Sequence, residues 1–170
     1  MTLRAPGRKD EAEQSDGAGM TGTYEVKAFA DFHVGDRADI TRSVSERDID
    51  AFAELSGDDN PLHVDEEFAR RTRFGRRVVH GAVAVSFISA ALTRLGIGHV
   101  YVSQQTRFRR PVFAGDTITA TAVIVEKLPE RQRLRVETRC TNQDGIVVNE
   151  GEAILQCMPE LFLADKSATG

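Results

Sequence analysis

The chain has 170 residues, of which 41% are hydrophobic and 28% charged, and a formal net charge of −4. That length suits one domain with a real core, and no apolar run reaches the roughly 20 residues needed to span a bilayer. The mild acidity gives no general affinity for nucleic acid, so the arginines crowded between Arg70 and Arg77 need a local explanation.

The opening stretch MTLRAPGRKDEAEQSDGAG lacks the apolar centre of a secretory signal, and its acidic residues argue against a transit peptide. Its polar composition cannot offset the entropy of ordering. A disordered tail is expected over residues 1–22, followed by one domain over 23–160 and a frayed C-terminal tail over 161–170. Cys140 and Cys157 lie in alternating apolar stretches and read as buried thiols of a reducing compartment, so the expected location is the cytoplasm.

Residues 38–44 alternate like a strand, and Ser45 with Asp48 forms a capping-box pattern that opens a helix. Ile49, Phe52, Ala53 and Leu55 supply its apolar face, and it should end near Gly57. The segment SGDDNPLH, Ser56 to His63, reads as a loop of fixed geometry. Gly57 tolerates positive φ, and Pro61 pushes Asn60 into an extended conformation. Asp65 can cap a short helix through Phe68 and Ala69. Then AVAVSFISAALTRL, bounded by Gly81 and Gly96, is apolar nearly all round and belongs in a core. Arg94 in its last turn and Gly96 beyond it fit a helix C-terminus.

From His99 the period becomes two, with strands expected near 99–108, 117–128, 132–142 and 146–157. Asn142 to Gly145 and Pro129 to Arg131 are turn signals, which makes these strands consecutive and antiparallel. The class is α+β, a curved antiparallel sheet wrapped around a long central helix.

Any single Asp or His in a turn is ordinarily structural. Asp58 and His63 together say more: a carboxylate and an imidazole five residues apart on a rigid loop can converge on one small ligand atom and divide acid and base work. His80 reads as structural, His33 and His99 as surface or core residues, and the four scattered histidines suggest no metal set.

The run from Phe52 to Ala69, with SGDDNPLH at its centre, resembles the hydratase 2 motif of MaoC-like, (R)-specific enoyl-CoA hydratases. The likeness extends through Val78-Val79-His80-Gly81 and through Phe108 to Asp116, covering about residues 38–158. It implies the hotdog fold, a homodimer and no cofactor. It also implies addition of water to a trans-2-enoyl-CoA, or the reverse dehydration, on a thioester of CoA or of acyl carrier protein. The family's catalytic aspartate and histidine fall on Asp58 and His63.

Gly81, at a helix N-terminus, suits a backbone donor to the thioester oxygen, and Ser89 matches a serine that supports the catalytic loop. Asn60, Arg76, Arg77 and Arg109 are candidates for holding substrate, with Arg110 a further one, since CoA carries phosphates that arginine binds well. The competing readings are a hotdog acyl-CoA thioesterase, a 3-hydroxyacyl carrier-protein dehydratase and a non-catalytic subunit. The Asp58/His63 pair disfavours the thioesterase and the subunit.

Overall fold

A computed structural model describes residues 25–162. The tail expected over 1–22 lies outside them, as does all but the start of the one expected over 161–170. The elements run β1 (Arg37–Ser43), α1 (Glu46–Ser56), α2 (Pro61–Val64), α3 (Glu66–Arg70), α4 (Gly81–Arg94), β2 (His99–Phe108), β3 (Thr117–Leu128), β4 (Arg133–Thr141) and β5 (Val147–Cys157).

Local chemistry sets the boundaries around the motif. The Ser45 hydroxyl accepts from the Asp48 amide at 3.3 Å, and the Asp48 carboxylate accepts from the Ser45 amide at 2.7 Å, so the capping box closes as the sequence predicts. α1 stops at Gly57, whose φ of 74° is left-handed and whose N–H donates to the Ala53 carbonyl. The SGDDNPLH segment is only half loop. Pro61 occupies the first helical position of the single-turn α2, and the Asn60 side-chain oxygen caps it by accepting from the Leu62 amide at 3.0 Å. His63 therefore projects from a helical turn. Asp65 caps α3 by accepting from the Phe68 amide at 2.9 Å.

The five strands form one antiparallel sheet in the order β1-β3-β4-β5-β2. β3, β4 and β5 make the consecutive meander that the turn signals predict. β2 departs from it: its partner is β5 rather than the next strand in sequence. The link 109–116 is too long for a tight hairpin and contains Pro111, which has no amide to donate, so it carries the chain away from β2 before β3 begins.

Alternate residues of β3, β4 and β5 face inward, among them Ile118, Ala120, Ala122, Ile124, Leu134, Val136, Ala153 and Leu155, all fully buried. α4 lies against this face and contributes Val83, Ala84, Ile88, Ala91 and Leu92 to the same core cluster. The alanines opposite it let a helix with bulky side chains sit close to the sheet. This is the hotdog arrangement. Cys140 and Cys157 are free and buried. Among the described residues, no helix is long and apolar enough to cross a membrane.

Candidate active site

The N-terminal end of α4 is where the motif converges. Asp58, just past the left-handed end of α1, His63 on α2, and His80, the residue before α4, present side-chain atoms that all lie within 4.8 Å of one another. Asp58 is exposed, His63 half-buried and His80 buried.

Two backbone carbonyls orient the imidazoles. His63 Nδ1 lies 2.6 Å from the Val78 carbonyl oxygen. A carbonyl only accepts, so Nδ1 carries the hydrogen and Nε2 presents its lone pair. His80 Nε2 lies 2.9 Å from the Asp58 carbonyl and donates to it by the same logic, tying the Asp58 backbone to the start of α4. The two rings stack with centroids 3.9 Å apart, and Phe52 packs on His80 at 4.9 Å. The three residues before α4 also fix the neighbouring backbone. The Val78 amide donates to Leu62 at 3.2 Å and the Val79 amide to Val112 at 2.8 Å.

The same three side chains are the only cluster of this kind among the described residues that could hold a metal ion. The Val78 carbonyl already engages His63 Nδ1 and the Asp58 carbonyl engages His80 Nε2, which leaves His63 Nε2 and His80 Nδ1 with free lone pairs in the same group as a carboxylate. Base nitrogens and a carboxylate grouped in this way can move protons.

A cavity of about 330 Å³ opens beside this cluster. His63, His80, Gly81 and Asn149 belong to its wall, with apolar surface from Phe74, Val79, Phe108 and Val112 and with Arg73, Arg109 and Arg110 also lining it. Gly81 begins α4, where the first amides have no intrahelical acceptor. Its lack of a side chain serves close packing as well, since an added Cβ would lie 2.6 Å from Cε1 of the Phe108 ring.

The remaining candidates fall into different places. Asn60 spends its side-chain oxygen on capping α2. Ser89 is exposed on α4, two turns beyond Gly81 and outside the cavity wall. Arg77 is tied to α1, bonding Asp50 at 2.8 Å and also Glu46. Arg76 stacks over Phe113 at 4.0 Å. Arg109 binds Glu150 at 2.5 Å, and that guanidinium holds the Glu150 carboxyl below the usual carboxylate range.

Two residues of the wall owe their place to partners distant in sequence. His80 reads as structural from the sequence, and in the fold its buried ring holds the Asp58 carbonyl and stacks on His63. Asn149 carries no local signal beyond being a polar residue at an inward position of a strand.

A five-stranded antiparallel sheet around one helix, with an Asp/His pair at that helix's N-terminal end, defines the class. The family described as the MaoC like domain matches residues 31–145, and the chain belongs to it. The chain is 42% identical over 151 residues to a 3-hydroxybutyryl-CoA dehydratase of Methylorubrum extorquens, covering 88% of this chain and 95% of that protein. It is 46% identical over 127 residues to an (R)-specific enoyl-CoA hydratase of Rhodospirillum rubrum, covering 74% and 88%. Among solved structures, the R-hydratase PhaJ1 of Pseudomonas aeruginosa in unliganded form superposes with a TM-score of 0.71 at 41% identity, covering 77% of this chain and 85% of that one.

Proposed function

We propose that this protein is a hydro-lyase that adds water to a trans-2-enoyl-CoA to give a (3R)-3-hydroxyacyl-CoA, and catalyses the reverse dehydration. The observation that carries this reading is the tautomer of His63: with Nδ1 bonded to the Val78 carbonyl, Nε2 is left as a base on a residue grouped with Asp58, and His63 lines the same cavity as Gly81, the first residue of α4.

A water held between Asp58 and His63 gives its proton to His63 Nε2 as its oxygen bonds to C3. The π electrons move toward C1, and negative charge collects on the thioester oxygen, where the Gly81 N–H donates. The imidazolium, stabilised by Asp58, returns the proton to C2. One water is consumed, and its oxygen and proton enter the same face. Arg73, Arg109 and Arg110, in the cavity wall, and Arg76 nearby are the side chains we assign to the phosphates of the thioester handle. The C3 configuration is assigned from the (R)-specific relative.

The catalytic unit in this reading is residues 23–160, acting as a homodimer. β1 and β2 are the open sheet edges, and β2 exposes Tyr101 and Val102, surface that a second copy would cover. The free thiols of Cys140 and Cys157 suit a reducing cytoplasm.

Crotonyl-CoA tests the reaction. Loss of enoyl absorbance without release of free thiol is the expected result, and the product should be oxidised by an R-specific 3-hydroxyacyl-CoA dehydrogenase but not by an S-specific one. Thiol release without loss of the enoyl group would make the protein a thioesterase.

A further inference from the structure

Among the described residues, three buried side-chain atoms have no hydrogen-bond partner: His80 Nδ1, His99 Nδ1 and Asn149 Nδ2. Asn149 is 1% exposed and belongs to the same cavity wall as His63 and Gly81. The orientation of its amide is set by Thr106, whose Oγ1 lies 2.6 Å from Asn149 Oδ1. That separation is short for N–H···O and ordinary for O–H···O, so Thr106 donates to Oδ1 and Nδ2 keeps both hydrogens unpaired. A buried donor left without an acceptor is unfavourable and invites a ligand atom.

Sheet register shows where that donor stands. Asn149 pairs with Phe108 on one side and with Cys140 on the other. Paired residues project from the same face of a sheet, a few ångströms apart. The Phe108 ring reaches Gly81, and the Cys140 thiol donates to the Ala84 carbonyl at 3.6 Å. Asn149 lies in the sheet between the residues that make these two contacts, and it shares a cavity wall with Gly81, the start of α4, where helix amides also lack acceptors. Unpaired donors from strand and helix thus belong to one cavity, and the group that fits is an oxygen that gains negative charge.

We infer that Asn149 is a catalytic residue whose Nδ2 donates to the thioester oxygen alongside the Gly81 N–H. This rests on the hydratase reading above. When the water oxygen bonds to C3, the C2–C3 π pair shifts to C1–C2 and the carbonyl pair moves onto oxygen. Two donors then share that charge until the pair returns and C2 takes the proton from His63. Thr106 is a positioning residue, holding the carboxamide so that nitrogen rather than oxygen points at the substrate.

The test uses the full chain with Asn149→Leu, which keeps the volume and removes the donor, Asn149→Asp, which replaces it with an acceptor, and Thr106→Val, which frees the amide to turn. Two readouts are taken: hydration of crotonyl-CoA, and the red shift of bound 4-dimethylaminocinnamoyl-CoA, whose absorption moves to longer wavelength as its carbonyl is polarised. Asn149→Leu should lower kcat/KM by about 10²-fold, chiefly in kcat, shrink the red shift and leave the melting temperature equal or higher. Asn149→Asp should lose more, and Thr106→Val should fall between.

Turnover by Asn149→Leu within about twofold of the parent, with the red shift intact, overturns the assignment. Should Asn149→Leu fail to fold, parental turnover and red shift in Thr106→Val overturn it equally. A parent protein that neither hydrates crotonyl-CoA nor shifts the chromophore rejects the hydratase reading itself, a result distinct from the failure of Asn149 alone.

Discussion

Gly81→Ala probes the packing that shapes the site, and its outcome can be worked from distances. A Cβ at this position would stand 2.6, 2.9 and 3.1 Å from three atoms of the Phe108 ring. Reaching an ordinary contact of 3.4 Å requires the ring to withdraw by about 0.8 Å (3.4 − 2.6). Phe108 is 59% exposed, so its ring can swing toward solvent and the backbone need not move. Alanine favours the helix by up to about 1 kcal/mol over glycine, and the packing lost by a half-exposed ring is of similar size. The two effects oppose, so the melting temperature should change by no more than about 2–4 °C.

Activity has no such compensation. The displaced ring forms part of the cavity wall together with Gly81, the proposed donor, and a misplacement near 1 Å can cost about 10²-fold in rate. Thermal melts and crotonyl-CoA kinetics on Gly81→Ala, Phe108→Ala and the double variant form a thermodynamic cycle. The alanine should cost much less activity in the Phe108→Ala background, where nothing is left to displace. Loss of more than about 3 kcal/mol of stability in both backgrounds, or undiminished activity in Gly81→Ala, would refute the close-approach account.

Asp58→Asn and His63→Asn should each reduce kcat by about 10²-fold or more with little change in melting temperature, and near-parental turnover in both would remove the acid–base pair from the mechanism. Burial pushes the Cys140 thiol up to about 12 and the Cys157 thiol up to about 11, so a thiol reagent at pH 8 should label the native protein slowly and both residues promptly in denaturant. Rapid native labelling would contradict that burial. Burial lowers the His99 pKa from 6.5, outweighing the carbonyls of Leu92 and Gly96 that raise it. The unfolded chain therefore binds a proton that the folded one resists, and stability should fall as pH drops below about 6.5; His99→Gln should flatten that part of a stability–pH curve measured by urea unfolding. Deleting residues 1–22 should leave turnover and melting temperature unchanged, and a loss of either would show that the segment contributes to the folded unit.

Much of the fold is legible because its signals are local. Ser45 and Asp48 cap each other across one turn, Gly57 supplies the left-handed stop, and the inward residues of β3 and β4 recur at every second position. What escapes local pattern is partnership at a distance. Nothing near β2 says that it pairs with β5. Nothing inside the arginine cluster says that Arg77 faces Asp50 and Glu46, 27 and 31 residues earlier, and so is held at α1. His80 looks like an ordinary residue before a helix until folding stacks it on His63. Asn149 differs again: an inward polar residue on a buried strand is a visible irregularity, but its meaning depends on which partners reach it.

The geometry of the candidate site follows from one short segment. Val78, Val79 and His80 run directly into Gly81, and each holds a different part of the site. The Val78 amide binds the Leu62 carbonyl while its own carbonyl takes the His63 hydrogen. The Val79 amide fixes the link after β2 through Val112, and the His80 ring holds the Asp58 carbonyl. Asp58, His63 and the first amide of α4 are thus referred to a single tripeptide, in a core that packs α4 against the sheet. The proposed acid, base and oxyanion donor are therefore tied through hydrogen bonds to the same short stretch of backbone. In the proposed reaction an enoyl thioester would meet both protonic groups from the side on which Asp58 and His63 stand. On the proposed mechanism, syn addition of water and a single C3 configuration follow, because one loop supplies both protonic groups; a product mixture of both C3 configurations would refute that shared-face argument.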